Sequence, residues 1–203
     1  MPGADLTLLA HRLRRCGFTV HLFRYASIRG DFDATVERLW RFAVALQQPE
    51  LHWVGHSLGG LLIRHLFARH PDLPPGRVVT LGTPHTGSVV ANRFHAHRLG
   101  RLLLGDTVST EALTVSPPPW DGRRPLGSIA GGLGVGVGRL VPVLARPNDG
   151  TVSVAETCAE GMRDHIVLPV AHMGLLLSAD TARQTCRFLL HGCFAHPVTS
   201  GGD

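Results

Sequence analysis

Hydrophobic positions change period several times along the chain, and the changes divide it into alternating helices and strands. Leu6, Leu9, Ala10 and Leu13 recur at helical spacing and predict a helix over residues 5–15, which Gly17 stops. Residues 18–25 alternate loosely, with Val20, Leu22 and Phe23 apolar, and predict a strand. Val36, Leu39, Trp40, Ala43 and Val44 line one face of an amphipathic helix over 33–46. Residues 51–55 predict a strand. The stripe Leu58, Leu61, Leu62, Leu66 predicts a helix that stops before Pro71, and residues 77–82 predict another strand. From 88 to 125 the pattern degrades: a helix over 89–104 precedes Pro117-Pro118-Pro119-Trp120. That stretch is long for a connection and reads as a small lid-like insertion. Residues 126–130 and 164–170 predict the last strands. The closing helix over 178–191 is capped by Ser178 and ended by Gly192. Alternation of this kind predicts an α/β fold, a mostly parallel sheet flanked by helices.

Composition narrows the class. The 203 residues suit a single domain, 1–203, with 88–125 inserted in it, and a hydrophobic content of 44% supplies a core. No apolar run is long enough to span a bilayer. The first residues lack the basic and apolar regions of a signal peptide, so a cytoplasmic setting is the expectation. The formal net charge is +5, and all twenty basic side chains are arginine, scattered rather than in blocks. Scatter argues against a nucleic-acid module and is compatible with peripheral membrane contact. The four cysteines, Cys16, Cys158, Cys186 and Cys193, form no Cys-x-x-Cys pair and no metal-ligand spacing. Cys186 falls on the apolar face of its helix and reads as a small core residue. Residues 131–138 contain Gly-x-Gly-x-Gly but not the dinucleotide fingerprint, and read as a loop. No cofactor or metal is implied.

One stretch carries chemistry: Gly55-His56-Ser57-Leu58-Gly59-Gly60, between a predicted strand and a predicted helix. Gly-x-Ser-x-Gly in that context is a nucleophile elbow, a tight turn that presents the serine hydroxyl at a helix N-terminus. The turn needs small residues two before and two after Ser57, and Gly55 and Gly59 supply them. A serine hydroxyl is a poor nucleophile at neutral pH, so it needs a base, and the base needs an acid to hold its tautomer. After an elbow the order is acid, then histidine. Asp149, in Asn148-Asp149-Gly150-Thr151-Val152, and His172, in Ala171-His172-Met173-Gly174, satisfy it from loops at the strand ends. Asp121 and Asp164 are the competing acids. Among thirteen histidines, His56 adjoins the nucleophile and His85 follows a strand; both are candidates to line the substrate site, with Trp120 of the lid segment. The backbone N–H of Leu58 is one oxyanion donor.

Four motifs in order, Gly55-His56-Ser57-Leu58-Gly59-Gly60, Leu81-Gly82-Thr83-Pro84 with Gly87-Ser88, Asn148-Asp149-Gly150-Thr151-Val152 and His172-Met173-Gly174, resemble bacterial lipase/esterase-like α/β-hydrolases, the group of triacylglycerol lipases and GPI-inositol deacylases. The similarity covers essentially the whole chain. It implies the α/β-hydrolase fold, a Ser57–Asp149–His172 triad, a lipid-like ester as substrate and no cofactor. The departure is at the front: relatives begin with an apolar strand ending in His-Gly, and here Met1-Pro2-Gly3-Ala4 resembles the loop that follows it. That strand would supply the second oxyanion donor. Three functions compete: hydrolysis of carboxylic esters through an acyl-enzyme on Ser57, acyl transfer with the same triad, and lipid or partner binding without catalysis. Intact Ser57, Asp149 and His172 favour the first two.

Overall fold

The computed structural model describes residues 4–25, 31–87, 117–134 and 144–196. Within them the strongest periodicities form the elements they predict. Helix α1, Ala4–Arg15, buries Leu9, Ala10 and Leu13. Helix α2, Phe32–Ala45, starts where the Asp31 carboxylate accepts the amides of Asp33 and Ala34 at 2.9 and 3.2 Å, and it buries Val36, Leu39 and Ala43. Strand β1, Trp53–His56, leads into helix α3, Leu58–Arg69. Strands β2, Val78–Leu81, β3, Leu126–Gly131, and β4, Asp164–Leu168, follow. A short helix α4, Gly174–Leu177, runs into α5, Ala179–His191. Ser178 caps α5 by accepting from Asp180 and Thr181, and Gly192 ends it at φ 77°.

The four strands are parallel and ordered as in the chain, β1-β2-β3-β4. Register sets His56 beside Leu81 and Leu81 beside Ile129, so the carboxyl ends finish along one edge. Alternate residues face opposite layers. Val79, Leu81 and Ile129 pack with Leu9, Leu13, Leu175 and Phe188 from α1, α4 and α5. Val78 and Leu126 pack with Val36, Leu62, Leu66 and Phe67 from α2 and α3.

Two expectations change. Residues 18–25 keep their alternation: Phe18 and Val20 pack on the first cluster, Phe23 and Tyr25 on the second. They nevertheless form no ladder, because no described strand lies beside them to complete the hydrogen bonds. Cys186 is buried as expected but not free: it is disulfide-bonded to Cys16 at the end of α1. Helices α1 and α5 pack together, which brings positions 170 residues apart to a Cα separation of 6.3 Å. Cys158 and Cys193 are unpaired thiols. No described helix is long and apolar enough to cross a membrane. The predicted helix over 89–104 and most of the lid segment lie outside the described residues, as does the middle of the 131–138 loop.

Candidate active site

Strand β1 ends, the chain turns at Ser57 and α3 begins within one residue. Ser57 holds φ 53° and ψ −121°, a conformation that a side-chain-bearing residue rarely adopts and that its surroundings must enforce. Those surroundings are two crowded glycines and two hydrogen bonds. A Cβ on Gly55 would lie 2.6 Å from the Gly60 amide nitrogen, and one on Gly60 would lie 2.2 Å from Thr83 Oγ1. The sequence pattern assigned the second close approach to Gly59. There a Cβ would meet only the Tyr25 hydroxyl, at 3.7 Å, which is ordinary contact. The Ser57 amide donates to Leu81 O at 2.9 Å, and Ser57 O accepts from Thr83 Oγ1 at 2.9 Å, tying the turn to the end of β2. Leu58, the first residue of α3, has no helical carbonyl behind it to accept its N–H.

Asp149 and His172 come together beside this turn. The His172 ring donates from Nδ1 to Asp149 Oδ2 at 2.7 Å, because a carboxylate can only accept. The other carboxylate oxygen accepts the amides of Thr151 and Val152 at 2.9 and 2.7 Å. The His172 amide donates to Asp149 O at 2.9 Å, so backbone and ring are both held by one residue. Asp149 is 1% exposed and His172 8%. Gly82, directly after β2, is the floor of the pair. It sits at φ 57°, and a Cβ there would lie 3.0 Å from His172 Nδ1 and 3.1 Å from Asp149 Oδ2. Leu81 thus receives the Ser57 amide while its neighbour Gly82 touches the Asp149–His172 pair, which places all three loops at one sheet edge. Of the competing acids, Asp164 caps the opposite end of β4, where it accepts from the Phe194 amide and His196; Asp121 pairs with Arg123.

The residues expected to line the substrate site are placed otherwise. His56 turns onto His172, its Nε2 3.1 Å from His172 O and the two rings 4.6 Å apart. Burial, with the charge of His172, pushes His56 down to about 4. His85 is 3% exposed, and both its nitrogens are engaged. Arg64 NH1 donates to His85 O at 2.9 Å and approaches Nδ1 at 3.3 Å, so Nδ1 is the acceptor and Nε2–H donates to Thr80 Oγ1 at 2.9 Å. It is a buried structural group because both polar atoms are consumed inside the core. Trp120 is also turned inward. It packs against Phe67, ten residues along α3 from Ser57 and so roughly 15 Å up the helix, and its Nε1 donates to Arg124 O.

Sequence reasoning missed Arg64. It lies in the run Leu61, Leu62, Ile63, Arg64, Leu66, Phe67 of a helix buried nearly all round, and a lone charge in such a run was the available signal. Besides His85 it donates to Pro118 O. The network continues: the His85 amide donates to Glu156 O at 2.7 Å, and the Glu156 carboxylate accepts from the Ser153 amide and hydroxyl at 2.7 and 2.6 Å. Arg64 therefore links the helix after Ser57 to the loop that carries Asp149. Tyr25 was also missed, and no sequence signal pointed to it; burial pushes its hydroxyl up to about 12 beside α3. Among the described residues no group of three or more His, Cys, Asp or Glu is arranged to hold a metal.

The buried histidines make acid stability predictable. Burial first, then the neighbouring charges of Arg64 and His165, push His85 down to about 3, while in the unfolded chain it protonates near 6.5. A depressed folded value means that the unfolded chain binds the proton first as pH falls. Stability is fully present above pH 6.5 and is lost toward pH 4 for His56 and pH 3 for His85, by up to about 1.4 kcal/mol per pH unit for each. Thermal melts from pH 7.5 to 5 should show this fall, and His85→Gln should make it shallower while leaving the His56 share; a flat wild-type profile would refute the assignment.

An elbow at the end of one strand, with an acid and a histidine on loops after later strands, is the arrangement of an α/β-hydrolase fold, and the chain has that fold. Residues 11–105 match the family described as alpha/beta hydrolase fold. Among solved structures the chain is similar to the Bacillus licheniformis lipase BlEst2. Against the mature form the TM-score is 0.66, with 17% identity over 83% of this chain and 78% of that one. Against the propeptide form the values are 0.75 and 18%, over 95% of this chain and 48% of that one. A pyrethroid hydrolase from Sphingobium faniae is similar at a TM-score of 0.61 and 18% identity, over 93% of each chain.

Proposed function

We propose that this protein is a serine hydrolase of carboxylic esters, with Ser57 as nucleophile, His172 as general base and Asp149 as the acid that holds it. The observation that carries the reading is the 2.7 Å Asp149–His172 hydrogen bond at the sheet edge where Ser57 is held in its strained turn. With Nδ1–H committed to Asp149, the Nε2 lone pair of His172 is the free acceptor on that ring. It takes the Ser57 proton as Oγ attacks the ester carbonyl. The carbonyl oxygen becomes an oxyanion that accepts from the Leu58 N–H, and Asp149 stabilises the imidazolium. Collapse of the intermediate returns that proton to the departing alkoxide and leaves an acyl group on Ser57. Water, deprotonated by the same Nε2, then releases the acid. One of the similar structures is named a lipase and another a pyrethroid hydrolase, which supports the reading, and a lipid-like ester is the substrate class it favours.

A fluorophosphonate probe tests it without a choice of substrate, because it reacts only with an activated serine. Intact mass should show a single adduct on the wild type and none on Ser57→Ala. An unlabelled wild type, or an adduct that survives the substitution, would overturn the reading.

A further inference from the structure

We propose that His56, the residue before the nucleophile, is a positioning residue that ties the loop of the general base to the nucleophile strand through its Nε2–H and the His172 carbonyl. The inference rests on the function proposed above. Three polar groups of His172 are engaged: its ring and its amide go to Asp149, and its carbonyl goes to His56. Asp149 holds the tautomer and the angle of the ring but stands on a loop after β3, as His172 stands on a loop after β4. Neither contact fixes their distance from Ser57, which directly follows β1. Among the described residues the His56 hydrogen bond, 3.1 Å long, is the one that joins β1 to His172.

The chemistry of that bond determines the state of His56. A carbonyl only accepts, so Nε2 carries the proton and Nδ1 does not. The ring must stay neutral, because a second cation 4.6 Å from His172 would oppose the proton that His172 takes from Ser57. Burial secures this by holding His56 far below neutrality. The two rings are tilted by 47°, so His56 also fills the space beside the base and limits its rotation. A misplacement of the base by a fraction of an ångström is costly because proton transfer depends steeply on donor–acceptor geometry. The expectation that His56 lines the substrate site gives way to one in which it touches no substrate.

Two substitutions separate the roles. His56→Phe keeps a ring against His172 and removes the donor. His56→Gln puts an amide N–H at about the reach of Nε2 and cannot titrate. On a p-nitrophenyl ester, His56→Phe is expected to lower kcat about 10- to 100-fold with KM within about twofold, and His56→Gln to recover most of kcat. A substrate-lining residue would raise KM instead; that result, or equal kcat in both variants, overturns the proposal. Nitrogen-15 NMR of the histidine rings supplies a readout independent of turnover: His56 should be the Nε2–H tautomer with a slowly exchanging proton, in the wild type and in Ser57→Ala. The Nδ1–H tautomer, or rapid exchange, overturns the tether. If the wild type neither hydrolyses esters nor takes the fluorophosphonate, the proposed function fails, and the NMR result alone decides the tether.

Discussion

Replacing Asp149 with asparagine is expected to lower kcat by about 10⁴-fold and leave the fold in place. The reason lies in which oxygen does what. Oδ1 accepts two backbone amides, from Thr151 and Val152, and an asparagine carbonyl serves them equally well. That orientation is enforced, because turning the amide over would aim its N–H₂ at two N–H donors. The NH₂ then points at His172 in place of Oδ2 and donates where the carboxylate accepted. His172 must answer with a bare Nδ1 and carry its proton on Nε2, the nitrogen that has to accept from Ser57. On the proposed mechanism the protein is left with its geometry intact and its base in the wrong tautomer. Asp149→Ala is the contrast: it strands two buried amides, each at about 1–3 kcal/mol, and should lower Tm as well as kcat. Kinetics on a p-nitrophenyl ester, with melts of all three proteins, checks this. A loss in Asp149→Asn of less than tenfold with the fold intact would show that the Asp149–His172 pair is not the acid–base pair of the reaction.

The loops that carry Ser57, Asp149 and His172 were legible because each is marked by local chemistry. A strained turn needs small neighbours, an acid in Asn-Asp-Gly-Thr-Val forms its own turn, and the strands before them alternate with helices. What was not legible depends on distance along the chain. Cys16 and Cys186 carry no motif, and only the packing of α1 on α5 pairs them. His85 follows a strand, as a site residue would, but whether its ring faces solvent or core depends on Arg64, 21 residues earlier. Trp120 looked like a lid aromatic because prolines surround it; Phe67 and the Arg124 carbonyl draw it into the core. Gly59 and Gly60 show the limit at the finest grain. The pattern names both as glycine, and only the position of Thr83 shows that Gly60 is the one that cannot change. Residues 18–25 have strand periodicity and no ladder, since a ladder is a property of two segments and periodicity of one.

Breaking the Cys16–Cys186 cross-link is expected to have the largest effect on stability. Its two residues are 170 apart, so it closes most of the chain into a loop. On the loop-entropy account a cross-link of that span disfavours the unfolded ensemble by about 5 kcal/mol, and measured losses on removing native disulfides run at about 2–5 kcal/mol. That is a large share of the roughly 5–15 kcal/mol that separates folded from unfolded chains. The folded state loses less: Cys186 is 4% exposed and packs in the cluster of Leu9, Leu13 and Phe188, where a free thiol behaves as a small apolar group. The effect should therefore appear mainly through the unfolded chain. Urea unfolding of the wild type with and without reductant, and of Cys16→Ser, separates the two. Reduced wild type and Cys16→Ser should share a midpoint well below that of the oxidised protein. Their m-value should be higher, because an unfolded chain released from a large loop exposes more surface. Below the midpoint all three should take the fluorophosphonate at the same rate, since no group of the Asp149–His172 pair touches either cysteine. A midpoint that does not move on reduction would mean that the cross-link does not restrain the unfolded chain, and a labelling rate that falls with it would mean that α1 and α5 hold the site as well as the fold.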